Sequence, residues 1–144
     1  MKIRHILQGK AVNALYSVSS GETVLDALKL MADKNIGAVL VVDDGKLTGI
    51  FSERDYARKV ILKDRHSDDT RVADVMTKHV ITIEPEQLLE ECMVIMSDRH
   101  IRHLPVMDKG ELIGIISIND VVTAIIRDQK TRIDSLESYI SGSY

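Results

Sequence analysis

Gly49-Ile50-Phe51-Ser52-Glu53-Arg54-Asp55 and Gly114-Ile115-Ile116-Ser117-Ile118-Asn119-Asp120 share one pattern, Gly-apolar-x-Ser-x-x-Asp, at an offset of 65 residues. The offset holds well beyond the motif. Met31 matches Met96, Asp33 matches Asp98, Ile36 matches Ile101 and Val41 matches Val106. Asp43, Gly45 and Leu47 match Asp108, Gly110 and Leu112. With the motif residues this makes eleven identities between windows 17–60 and 82–125, without a gap. A fixed period of this kind marks a duplicated structural unit.

Each copy predicts the same order of elements. Extended segments begin near Ala14 and His79 and end at Ser17-Val18 and Thr82-Ile83. Ser20-Gly21 and Pro85 break the chain. Val24, Ala27, Leu28, Met31 and Ala32 then recur at helical spacing, as do Leu89, Cys92, Met93 and Met96. Ala38–Val42 and Leu104–Met107 read as buried strands. Asp43-Asp44-Gly45 and Asp108-Lys109-Gly110 read as hairpin turns, where glycine supplies positive φ. Second hairpin strands, Leu47–Phe51 and Leu112–Ile116, lead to helices starting at Ser52 and Ser117, good N-cap residues.

The unit is therefore β-α-β-β-α, used twice. The fold class is α+β, with the two units related by a pseudo-twofold axis and a C-terminal helical extension. Residues 1–13 form an N-terminal helical or linker segment, in which Ile3, Ile6 and Leu7 have helical spacing. The first unit spans 14–62, a polar linker 63–76 and the second unit 77–126. Arg71–Met76 predicts a short helix leading into the second unit. A helix and tail occupy 127–144, with Ile126, Ile133, Leu136 and Ile140 on roughly one helix face and Ser141–Tyr144 loose.

Composition narrows the function classes. The 144 residues carry 19 Lys and Arg against 22 Asp and Glu, a net charge of −3. That balance lacks the basic excess of a duplex nucleic-acid binder. Aromatic residues make up 3%, which argues against stacking along a single strand. The single cysteine, Cys92, excludes an intramolecular disulfide and a cysteine-rich zinc site. The longest apolar run, Ala38–Val42, is too short for a signal peptide or a membrane span, so a cytoplasmic location is the default expectation.

The doubled motif, the hairpin before each copy, the leading Met76-Thr77 and His103-Leu104-Pro105-Val106 together resemble a tandem pair of CBS domains, a Bateman module. The resemblance covers about residues 14–126. It implies binding of an adenosine-containing ligand (AMP, ADP, ATP, NAD or S-adenosylmethionine) in clefts between the units. By motif position, Ser52 and Ser117 would bond phosphate, and Asp55 and Asp120 the ribose hydroxyls. Ser17-Val18 and Thr82-Ile83 would flank the adenine, and Ala38, Thr77 and Pro105 would also belong to the ligand-binding residues. A serine and free N–H groups at a helix start suit an anion, and the preceding glycine lets backbone approach. The same seven residues can equally be a turn, an N-cap and a first-turn acid that stabilise a helix unaided.

The two copies differ at the site. Arg102-His103 stands where the first unit has Gly37-Ala38, and Arg54 where the second has Asn119. Arg54, Arg102 and His103 would set a preference for phosphate number, unless Arg102 and His103 merely form a solvated strand entry. His100 and His103 lack an evident third ligand, so no metal is expected. Cys92 and methionines 31, 93 and 96 fall on apolar helix faces and read as core. No catalytic constellation or Gly-Lys-Ser/Thr phosphate loop is present, so an enzyme is not expected. The expected function is a nucleotide sensor that signals to a partner protein, as a homodimer, without nucleic acid or membrane. The competing reading is a constitutive scaffold.

Overall fold

The structure, a computed structural model, describes residues 1–10 and 15–142. The expected strand start at Ala14 and the last two residues of the tail lie outside these. The elements are α1 (Ile3–Gly9), β1 (Ser17–Val18), α2 (Val24–Lys34), β2 (Ala38–Asp43), β3 (Lys46–Ser52), α3 (Glu53–Asp55), α4 (Val72–Val75), α5 (Leu89–Arg99), β4 (His103–Asp108), β5 (Glu111–Ser117) and α6 (Ile118–Ser141). The mixed α and β architecture with a C-terminal helix agrees with the sequence reading. Packing divides the chain into Ala14–Ile81 and a second unit made of Met1–Asn13 with Thr82–Tyr144.

In the first unit the sheet order is β1-β2-β3, with β1 parallel to β2 and β2 antiparallel to β3. The β2–β3 turn places Asp44 and Gly45 at φ 51° and 76°. Two successive positive φ values give the turn twist that matches a strand pair. Val39 and Val41 of β2, Phe51 of β3, Val24, Ala27 and Met31 of α2, and Val72 and Val75 of α4 form one core. Thr23 caps α2 by accepting from the Asp26 N–H at 3.2 Å. The helical run after Ser52 is not a uniform α-helix. It continues from α3 as a π-helical turn, Tyr56–Val60, and a 3-10 turn, Ile61–Lys63.

The second unit repeats the hairpin as β4–β5, with the register slip after Val106 that β2 has after Val41. Its leading strand is reduced to a single parallel bridge, Ile83 to Val106, so the extended segment expected from His79 is not a strand. Leu89, Cys92 and Met96 of α5 are buried, but Met93 is 40% exposed and leaves the expected core. It sits one position past Cys92, about 100° around the helix, at the rim of the buried stripe. Ala32 is likewise exposed, whereas Leu28 is half-buried. Burial pushes the Cys92 thiol up to about 11. Ser141, expected to be loose, is the last helical residue, and Gly142 caps α6 in the left-handed conformation.

The two short helices outside the repeat window occupy equivalent places. Val72 N–H donates to the Glu22 carbonyl at 2.9 Å, and Val24 N–H to Thr70 at 2.8 Å. In the second unit Ile3 N–H donates to Gln87 at 2.9 Å, and Leu89 N–H to Met1 at 2.8 Å. Helix α4 thus packs in the unit whose strands precede it, and α1 packs with strands near the far end of the chain. Lys2 and Arg4 fasten α1 further through Glu86, at 3.0 and 2.6 Å.

Candidate functional site

Pairing across the first unit brings most of its expected site residues into one neighbourhood. Ser17 lies opposite Leu40, Leu40 opposite Ile50, and Ile50 opposite Thr77. Ala38 faces Ser52 where β3 runs into α3. Ser17 is exposed at one edge of this row, whereas Val18 and Ala38 are buried. Arg54 is exposed on α3.

Asp55 is the hub. It is only 7% exposed. Ser52 N–H and Oγ–H donate to its Oδ2 at 3.0 and 3.1 Å. Thr77 Oγ1 donates to Oδ1 at 3.1 Å, and Lys59 Nζ lies 2.9 Å from the same oxygen. Asp55 N–H in turn donates to Ser52 Oγ at 3.2 Å. This is a reciprocal capping box extended by a hydroxyl and an ammonium. The Ser52 hydroxyl both donates and accepts within it. The Glu53 N–H is also taken, by the Gly37 carbonyl at 3.0 Å. The expectation of free N–H groups at this helix start is therefore corrected, because the first and third donors are already bonded within the chain.

Gly49 has a use that its place in the motif did not reveal. A Cβ there would lie 2.7 Å from Met76 Sδ and 3.0 Å from the Thr77 carbonyl. The close approach this glycine permits is that of the chain's own 76–77 segment, which is fixed by two Ile50–Thr77 backbone bonds at 2.8 and 3.0 Å. That contact is what brings the Thr77 hydroxyl to Asp55.

In the second unit His103 faces Ser117, and Ile83 lies beside Pro105, whose carbonyl accepts the Ile83 N–H at 3.0 Å. Ile83 and Pro105 are buried, Thr82 and Arg102 are exposed, and His103 is half-buried. The Arg102 carbonyl accepts the Ile118 N–H at 2.9 Å, as Gly37 does for Glu53. Ser117 N–H donates to Asp120 Oδ2 at 2.8 Å, and Asp120 N–H to Ser117 Oγ at 3.2 Å. The ammonium on this carboxylate comes from α1's end. Lys10 Nζ lies 3.0 Å from Asp120 Oδ2 and donates to the Ile115 carbonyl at 2.9 Å.

Lys59 and Lys10 are the residues that the sequence reading missed. The i,i+4 spacing of Asp55 and Lys59 was a readable signal. Nothing local pointed to Lys10, which lies outside the repeat. A depression of about 390 Å³ in the first unit is lined by Leu28, Met31, Asn35, Gly37 and Glu53 among others, and by none of the expected ligand residues. Among the described residues no three His, Cys, Asp or Glu side chains cluster to hold a metal ion. No helix among them is long and apolar enough to cross a membrane.

The CBS-domain family model matches residues 11–62 and 72–127. The chain belongs to the CBS-domain family. A CBS-domain protein of Burkholderia ambifaria MC40-6 superposes with a TM-score of 0.87 at 49% identity, covering 90% of this chain and 96% of that one. Its name suggests signal transduction. The mitochondrial CBS domain-containing protein CBSX3 of Arabidopsis thaliana is 41% identical over 131 residues, which is 88% of this chain and 64% of the plant protein. The chain thus spans somewhat under two thirds of that relative's length. Two more distant CBS structures share the fold. The CBS pair of MJ0100, solved with 5-methylthioadenosine and S-adenosyl-L-methionine, has a TM-score of 0.76 at 24% identity over 89% of this chain and 98% of its own. PAE2072 of Pyrobaculum aerophilum, solved with AMP, has a TM-score of 0.73 at 21% identity over 83% of this chain and 89% of its own.

Proposed function

We propose that this CBS pair is a non-catalytic sensor of an adenosine-containing ligand, with one ligand position at each Ser–Asp motif. The observation that carries this reading is the duplicated pair itself. Ser52–Asp55 and Ser117–Asp120 adopt the same reciprocal geometry in two separately packed units. Asp55 and Asp120 would accept vicinal ribose hydroxyls. Ser17 and Thr82, both exposed, would border the base. Arg54, Arg102 and His103 lie on the segments leading into or out of each helix start and would meet phosphate. The three ligands of MJ0100 and PAE2072, all adenosine compounds, support the ligand class.

Each carboxylate already holds an ammonium, so a ribose must share or displace it. Such a ligand signals only through the difference between its affinities for two states. The ammonium contacts of Lys59 and Lys10 are the elements whose making and breaking would distinguish those states. A partner protein would read the change, and the chain would act as a homodimer in the cytoplasm.

Calorimetric titration with AMP, ADP, ATP, NAD and S-adenosylmethionine tests the reading. Saturable binding by one of them, lost in Asp55→Asn with Asp120→Asn while the fold persists, supports it. No heat with any ligand, from protein free of bound nucleotide, favours the constitutive scaffold. That second reading has its own support in the engaged state of both carboxylates.

A further inference from the structure

From residue 129 onward every described residue of α6 is exposed. The helix rests on its own unit through Val121 and the half-buried 124, 125 and 128 positions. An adjoining face carries Val122, Ile126, Gln129, Ile133, Leu136 and Ile140, at alternating spacings of four and three. Ile126 is 59% exposed, Ile133 55%, Leu136 62% and Ile140 82%. A contiguous apolar strip of this kind is unfavourable in water and marks a binding surface.

The spacing says what kind of surface. A 3.5-residue period is the seam of a two-stranded coiled coil, and a core-facing helix shows a broader stripe. Isoleucine fills all three a positions, 126, 133 and 140. The d positions are Val122, Gln129 and Leu136. β-Branched residues at a with leucine at d favour two parallel strands, and Ile133 with Leu136 supplies that combination at the centre of the strip. The flanking charges agree. Arg132 falls at g and Glu137 at the following e, so a parallel in-register pair places Arg132 of each copy against Glu137 of the other. Arg132 meets Asp128 within its own helix at 3.3 Å, but such an exposed i,i+4 pair is weak and leaves Arg132 able to turn outward.

We propose that α6 between Val122 and Ile140 pairs with α6 of a second copy as a parallel, in-register two-stranded coiled coil. The occupant of the apolar strip is this same helix. The inference does not rest on nucleotide binding.

Full-length Gln129→Cys provides the test, since Cys92 is buried and does not compete. Parallel pairing sets residue 129 of one copy beside residue 129 of the other. Mild oxidation is expected to give a covalent dimer in high yield. Arg132→Glu in that background should slow the cross-link severalfold, as should Glu137→Arg. Mixing the two charge variants should restore the rate, because both interhelical pairs become Glu–Arg again. An antiparallel pair that sets Ile133 against Leu136 would put the two 129 residues about 16 Å apart along the axis. A mixture of Gln129→Cys and Ile140→Cys cross-linking where Gln129→Cys alone does not would overturn the parallel arrangement. Absence of cross-linking in both, with circular dichroism showing a folded chain, would overturn self-pairing and leave a different protein as the occupant.

Discussion

Lys10 and Asp120, from opposite ends of the chain, form an ion pair at 3.0 Å with both side chains four-fifths or more buried. In the first unit the equivalent carboxylate, Asp55, takes its ammonium from Lys59, four residues along the same helical run. The repeat places Ala124 where Lys59 would be. Each unit thus neutralises its acid, one from within the repeat and the other from the N-terminal segment.

Lys10→Met is therefore expected to destabilise the second unit by about 1.5–3 kcal/mol, the range for a hydrogen bond to a charged group. The partly buried Asp120 loses its counter-charge, and the Ile115 carbonyl loses a donor. Asp120→Asn should cost less in the Lys10→Met background than in the native chain. A double-mutant cycle by urea unfolding measures that coupling. Additive effects would show that the contact contributes nothing to stability.

Gly49→Ala should push residues 76–77 off β3, because the Met76 sulfur and the Thr77 carbonyl both crowd the new methyl group. The expected loss is about 1–3 kcal/mol, as for overpacking elsewhere. Gly49→Ala with Met76→Ala removes the sulfur but not the carbonyl, so recovery should be partial. Chemical denaturation reads both values.

Two carboxylates tie stability to acid pH. Asp43 is held below the usual carboxylate range by the Ser20 N–H at 2.9 Å and the Thr48 hydroxyl at 2.9 Å. Arg4 and Lys2 hold Glu86 down in the same way. A lowered native pKa means that the unfolded chain binds more protons in this range. The stabilisation is complete above the ordinary carboxylate values, about 4, and is lost as pH falls through the lower native values. Asp43→Asn and Glu86→Gln should each flatten the fall in melting temperature below that pH. Unchanged slopes would remove these two groups from the acid response.

Lys109 occupies the first central position of the β4–β5 turn at φ 51°, where Asp44 stands in the other hairpin. Asparagine tolerates this conformation better than lysine. Lys109→Asn is expected to add about 0.5–1 kcal/mol, typical of turn optimisation, raising Tm by about 2–4 °C per kcal/mol. A lower Tm would mean that the lysine has a contact outweighing its backbone strain.

The hairpins, α2, α5 and the duplicated Ser–Asp caps were legible because their determinants are local. Asp-x-Gly turns, helical spacing of apolar residues and N-cap chemistry all act within a few positions. The strand expected before residue 83 was less legible. Two or three residues of β propensity do not make a strand unless neighbours supply a full ladder, and in the second unit one bridge remains. Met93 was misread for a related reason. Periodicity gives the direction of a helix face, but the width of its buried stripe depends on what packs against it.

The sequence alone determined the repeat, the helix, hairpin and helix order in each copy, the acids at each helix start and the apolar face of α6. These are encoded by neighbours in the chain. Tertiary structure decided where α1 and α4 dock, why Gly49 must lack a side chain, and that Asp120 is answered by Lys10. Those contacts join segments far apart in sequence, and no local preference specifies them. Burial decides them, because a carboxylate withdrawn from water needs a partner from whichever segment the packing brings within reach.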